Sequence, residues 1–212
     1  SVVYNGIDLD HPVTAYSRDQ LSELSGLSLE ERDQVLIMVG RLHPVKEIPV
    51  FLQSFARLLQ EGWPLKALLV GDGPERERLQ DWIRTHNLTP HVAMLGFRED
   101  VEALLGASDL SVLTSRSESF PFVILESLKA GTPVVATRVG GIPDLLPAEC
   151  LFQPGDAEGL TETLKRLLGQ PQRRKALTMQ LRQRVSDEFS LQALTDKHLE
   201  IYRRIMTSRE SN

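Results

Sequence analysis

Two glutamates stand eight positions apart in the stretch SESFPFVILESLKAG, residues 117–131, and bracket an almost unbroken apolar run from Phe120 to Leu125. The run predicts a helix that starts near 120–121, where Pro121 suits a first turn, and ends at Ala130 with Gly131 behind it. Phe122, Val123, Ile124, Leu125 and Leu128 cover most of its circumference, so the helix is a buried one. A carboxylate inside it is unfavourable unless something pairs with it or donates hydrogen bonds to it. Glu126 lies about 7–8 Å along the axis from Pro121, at roughly 1.5 Å per residue. A phosphate held at the helix N-terminus would therefore bring an attached sugar within its reach, and a carboxylate can accept two hydrogen bonds from paired ribose hydroxyls. Glu118, in the loop before the helix, would face the other side of that phosphate. The plainer alternative puts Glu126 on an exposed edge, paired with Lys129 at i+3, and leaves Glu118 a solvated loop acid.

A second group of charges has complementary chemistry. Arg41 and Lys46 lie five residues apart in GRLHPVK, residues 40–46. An arginine directly after a strand can fork two phosphate oxygens, and a lysine beyond it adds a mobile point charge. The alternative is a pair of solvated surface cations, with Lys46 bridging to Glu47 or another nearby acid. Gly71-Asp72-Gly73-Pro74 has the first two glycines of a dinucleotide fingerprint but Arg76 where the third belongs. It reads as a tight strand-to-helix turn with Pro74 at the first helical position. No GxxxxGK[ST] occurs, which excludes a P-loop nucleotidase.

The elements that must position these residues are legible as short, continuous apolar runs at 35–40, 67–72, 92–96, 110–115, 133–138 and 150–152. Continuous rather than alternating runs indicate strands buried on both faces. Between them Phe51, Phe55 and Leu58, then Leu79, Trp82 and Ile83, recur at helical spacing. Strand and helix alternating five times predicts an α/β, Rossmann-like, doubly wound parallel sheet of about six strands. Helices alone follow, at 157–169, 171–188 and 190–207. In such a sheet ligands bind beyond the carboxyl ends of the strands. The loops there hold Gly40 to Lys46, Gly71 to Pro74, Gly96-Phe97-Arg98, Ser115 to Pro121 and Gly140 to Pro143.

Composition narrows the classes. The 212 residues are 41% hydrophobic and 25% charged, as in a soluble globular protein, and the net charge of −5 gives no reason to expect nucleic acid. Cys150 is the only cysteine, and the five histidines lack metal-ligand spacing, so neither a disulfide framework nor a structural metal is expected. No run reaches the roughly 18 apolar residues of a membrane span, and the opening SVVYNGID does not resemble a signal peptide. A reducing cytoplasm is the expected location. The opening, without an initiator methionine, reads as a linker running into a domain, and hence as part of a longer protein.

GRLHPVK, LLVGDGP, LGFREDV and SESFPFVILESLKAGTPVVATRVGGIPDLL together resemble the retaining glycosyltransferases of family four. The likeness is to their nucleotide-sugar-binding C-terminal domain, one half of the two-domain GT-B architecture, and runs from VVYNGID (2–8) to FSLQALTDKHLEIYRRI (189–205). The resemblance implies that Arg41 and Lys46 hold the donor diphosphate and stabilise the leaving group, with Glu118 beside the donor sugar. It implies ribose recognition by Glu126 and close approach of the diphosphate at Gly40. Backbone N–H groups across Ser119, Phe120, Pro121, Phe122 and Val123 would contact sugar or phosphate (Pro121 has none to give), and Phe97 and Arg98 would flank the base through their main chain. UDP or GDP sugars are the implied donors, and no bound metal or other cofactor is implied. Two residues depart from the family pattern: Glu47 and Ser119 stand where glycine is common. Glu47 either weakens the phosphate site or points away from it.

On this reading residues 1–34 are an interdomain linker and lead-in, 35–189 the donor-binding domain, and 190–212 a helix crossing back to an N-terminal acceptor domain. The chain alone should bind nucleotide but hardly transfer sugar. The whole enzyme would serve glycan or glycolipid synthesis, in the cytoplasm or at the inner face of a membrane with which it associates peripherally. Two alternatives stay open: half of a sugar-nucleotide epimerase, and a nucleotide-sugar-binding module without activity.

Overall fold

A computed structural model describes residues 5–210 of the chain. Over these residues six strands form one parallel sheet: β1 Gln34–Val39, β2 Leu65–Val70, β3 Val92–Gly96, β4 Leu110–Leu113, β5 Val134–Thr137 and β6 Leu151–Phe152. Their spatial order is β3-β2-β1-β4-β5-β6, so the winding reverses between β1 and β4. The helices are α1 Arg18–Ser25, α2 Ile48–Gln60, α3 Arg76–Thr85, α4 Val101–Gly106, α5 Phe122–Lys129, α6 Ile142–Leu145, α7 Ala157–Leu168, α8 Pro171–Glu188 and α9 Leu191–Glu210. The sheet is of the expected class, and its strands lie within two residues of the apolar runs.

The side-chain alternation of the strands splits the core in two. Leu36 and Met38 of β1 and Ala67 and Leu69 of β2 face a large cluster that also holds Phe51, Phe55, Leu160 and Leu164. Their neighbours Val35, Ile37, Leu68 and Val70 face a smaller one with Leu21, Leu27, Leu104 and Leu105. Burial on both faces is why these strands read as unbroken apolar runs.

Within the 1–34 stretch, α1 is part of this second core. Ser17 caps it in a reciprocal capping box with Gln20, and Gly26 closes it in the left-handed conformation. Leu21 is fully buried, a contribution of roughly 1.5–3 kcal/mol. At the other end α8 packs against α5 and α7. The chain then crosses over its own beginning: Ile7 N donates to Phe189 O at 2.8 Å and Leu191 N to Ile7 O at 3.1 Å. No described helix is long and apolar enough to cross a membrane.

Candidate functional site at the sheet's switch point

The loops after β1 and β4 lie on either side of the reversal in strand order, where open α/β sheets bind ligands. Backbone contacts fasten them together. Thr114 Oγ1 donates to Lys46 O at 2.7 Å, and Arg116 N donates to Val45 O at 2.8 Å. The neighbouring loops are bound in as well: Leu42 N donates to Asp72 O at 2.9 Å, Gly71 N to Gly96 O at 2.7 Å, and Gly141 N to Ser119 O at 3.1 Å. Five βα loops thus form one rim.

Lys46 and Glu118 meet on this rim. Lys46 Nζ donates to Glu118 Oε1 at 2.5 Å, and Ser115 Oγ donates to the same oxygen at 2.6 Å. The Lys46 and Glu118 side chains are only 21% and 13% exposed, so this ion pair is shielded from water. Lys46 does not pair with Glu47 but does take another acid, Glu118, in a partly buried pair, and Glu118 is no solvated loop acid. Glu47 instead accepts from Arg116, with Nη2 2.5 Å from its Oε1. Its carboxylate therefore turns away from Lys46. It also holds a left-handed backbone, φ 44 and ψ 41, at the position where glycine was expected, a conformation that costs a residue with a Cβ about 1–2 kcal/mol.

The helix carrying Glu126 begins at Phe122, one to two residues later than expected. Pro121 is its N-cap, not its first turn, and Lys129 is its last residue. Ile124 and Leu125 are fully buried, whereas Phe122 is 46% exposed and Val123 half-buried. Phe120 turns its ring onto Phe189, centroids 5.8 Å apart, so its side chain serves packing. Glu126 does not pair with Lys129. Lys129 Nζ donates to Glu102 of α4 at 2.8 Å, and among the described residues nothing donates a hydrogen bond to the Glu126 carboxylate. Burial pushes the Glu126 pKa up, and the nearby Glu102 charge adds to this against the weaker pull of Lys129.

Gly40, Arg41, Phe97 and Arg98 line one cleft of about 410 Å³, together with Gly71, Asp72 and Val101. Arg41 is exposed, and its guanidinium makes no hydrogen bond to the described residues. Arg41 and Lys46 also border a narrower cavity with Gly40 and Leu42. Arg98 faces the cleft, but its guanidinium is bonded to Asp100. Sequence reasoning placed Gly71, Asp72 and Ser115 on the loops of this rim but gave them no part in binding, and it missed Val101. The truncated GDGP motif was the available signal for Gly71 and Asp72. Pro74 lies in a turn before α3, not in its first turn, because Glu75 N is held on Leu42 O at 3.0 Å. A cleft of about 460 Å³ at the amino ends of β4 and β5 touches Asp109, Pro133 and α8, but no expected site residue lines it. Arg174 there already hydrogen-bonds Asp109.

Residues 22–184 match the family model described as glycosyl transferases group 1. The chain belongs to this family. A similar relative is the N-acetyl-alpha-D-glucosaminyl L-malate synthase of Bacillus anthracis, 30% identical over 203 residues, an alignment covering 94% of this chain and 52% of that protein. Among solved structures, HepE of Anabaena in complex with UDP superposes with a TM-score of 0.83 at 26% identity, covering 96% of this chain and 57% of that one. The C-terminal domain of a glycosyl transferase group 1 protein from Francisella tularensis shares the fold, with a TM-score of 0.74 at 18% identity over 88% of this chain and 100% of that one. This member of the family thus spans about half the length of the first two proteins.

Proposed function

We propose that this group 1 chain is the donor-binding half of a GT-B glycosyltransferase that moves a sugar from a nucleoside diphosphate to an acceptor hydroxyl with retention of configuration. The observation that carries the proposal is Glu126: a half-buried carboxylate one turn into the helix that follows the Glu118 loop, raised in pKa and without a donor among the described residues. Such a group is unfavourable when unpaired, and the paired hydroxyls of a ribose would satisfy it.

In this reading the base enters the cleft beside Phe97 and Arg98, and the diphosphate lies between Arg41, Lys46 and the first-turn N–H groups of α5. The diphosphate competes with Glu118 for Lys46. Glu118, still held by Ser115, is then available to the donor sugar. As the bond from the anomeric carbon to the diphosphate breaks and one to the acceptor oxygen forms, the acceptor hydroxyl's proton passes to the departing diphosphate, and Arg41 and Lys46 stabilise the departing charge. Fixed protein charge does this work, and no metal is invoked. That HepE binds UDP makes UDP the first donor nucleotide to try. Glu47, the residue that would weaken the phosphate site and so favour a binding module without activity, pairs with Arg116.

Calorimetric titration of the chain with UDP, GDP and ADP should give binding with at least one of them. Glu126→Ala should weaken it about tenfold, the worth of one or two hydrogen bonds to a charged acceptor. Lys129→Ala, which breaks the contact to Glu102, should change it less than twofold, by roughly a quarter of that free energy. No heat with any nucleotide, or equal losses from the two substitutions, overturns the assignment.

A further inference from the structure

The wall of the cleft made by Phe97 and Arg98 is held from outside the site. Asp100 occupies the N-cap position of α4, where an aspartate ordinarily accepts from its own helix, yet its side chain caps nothing there. Both oxygens are committed elsewhere. Oδ1 accepts from Arg98 Nε at 2.8 Å and Oδ2 from Arg98 Nη2 at 2.5 Å, a bidentate pair. Oδ2 also accepts from the hydroxyl of Tyr16 at 2.5 Å, across 84 residues of sequence.

Tyr16 grips α4 twice, because its amide also donates to Ala103 O at 3.3 Å. The Arg98 hydrogen bonds, with help from Tyr16 and against the effect of burial, bring the Asp100 pKa down to about 2. The carboxylate is therefore charged throughout the neutral range. A helix start that gives up its cap for a long-range contact breaks a local rule, and such breaks concentrate where position matters to function. The loop has little else to fix it: Phe97 is 75% exposed. Its two ends are anchored at Gly96 O, which accepts from Gly71 N at 2.7 Å, and at Asp100.

We propose that Tyr16 is a positioning residue of the donor site: through Asp100 and Arg98 it holds the Phe97–Arg98 loop as a fixed wall for the base of the nucleotide. The inference rests on the donor-binding reading above. It also assigns a role to a residue in the stretch read from sequence as linker and lead-in, so the wall of the site is built partly from the chain that enters the domain.

Tyr16→Phe removes the hydroxyl and keeps the ring. In the 212-residue chain it should weaken the tightest binder among UDP, GDP and ADP roughly three- to tenfold, the order expected when one charge-assisted hydrogen bond no longer holds a loop. Inorganic pyrophosphate, which has no base, should bind within about twofold of its original affinity, roughly the scatter of an uncoupled site. Amide hydrogen exchange at residues 97–100 of the free chain should speed up. Asp100→Asn should reproduce this pattern. Equal losses for nucleotide and pyrophosphate, or unchanged exchange at 97–100, overturn the proposal. If the unsubstituted chain binds pyrophosphate but no nucleotide more tightly, the donor reading fails and takes the role with it. The exchange rates then report separately whether the clamp holds the loop.

Discussion

At the residue scale the site is a set of charges, most of them held by a partner of their own. Lys46 has Glu118, Glu47 has Arg116 and Lys129 has Glu102, whereas Glu126 has no donor among the described residues. This makes Glu126 the residue whose titration reports on the site. Burial raises its pKa above the ordinary 4.5. Below about pH 4.5 folded and unfolded chains both hold the proton, and Glu126 adds no pH dependence. Between that value and the raised folded pKa the unfolded chain is ionised and the folded chain is not, so stability falls as pH rises through this window. Glu126→Gln should therefore melt at a higher temperature than the original chain above the window and show no such advantage below it. Nucleotide affinity of the original chain should drop as pH falls through the same window, because a neutral carboxyl is a weaker acceptor. A melting difference that is the same at pH 4 and pH 8 would show that burial of the charge is not the cause.

At the element scale, what assembles the site is the close contact of one βα loop with the next. Gly140 has φ +52, and a Cβ there would lie 1.7 Å from the carbonyl oxygen of Glu118. Gly140→Ala should cost about 2–4 kcal/mol, since it combines left-handed strain with a clash against backbone. Nucleotide binding should be lost with it. Gly155 also has a left-handed φ, +75, but open space around it, so Gly155→Ala should cost only about 1 kcal/mol and leave binding intact. Urea denaturation of the two variants checks the difference. The elements themselves were largely legible in the sequence. Strands buried on both faces leave unbroken apolar runs, and helices leave their own period. Helix starts were read less well, because Pro121 and Pro74 each looked like a first-turn proline. The loops hold both outside the helix, and the loop contacts come from distant residues.

At the scale of the whole molecule, the chain is half of what its relatives are. It spans 52% of the Bacillus anthracis relative and 57% of the Anabaena structure. Its last helix, α9, leaves Leu191, Leu199, Tyr202 and Met206 exposed. If the donor-binding reading holds, the 212-residue chain alone should bind nucleotide without measurable sugar transfer, and transfer should require an acceptor-binding half. Release of diphosphate from a nucleotide sugar, followed with and without that half supplied, measures this. Rapid transfer by the 212 residues alone would overturn the two-domain reading.

The sequence by itself determined the class of sheet, the loops at its carboxyl ends, and the residue types on them that suit a phosphate and a sugar. These follow from local periodicity and from loop composition, both of which are written in neighbouring residues. Only the tertiary structure decided which charges pair. Lys46 and Glu118 are 72 residues apart, Lys129 and Glu102 are 27 apart, and Tyr16 reaches Asp100 across 84. A partner is chosen by what the fold brings within about 3 Å, and parallel winding brings together loops that lie far apart along the chain. The sequence placed Glu118 of SESFPFVILESLKAG in a loop and Glu126 in a helix, without fixing a partner for either. The fold gave Glu118 a lysine and a serine and left Glu126 half-buried, without a donor among the described residues.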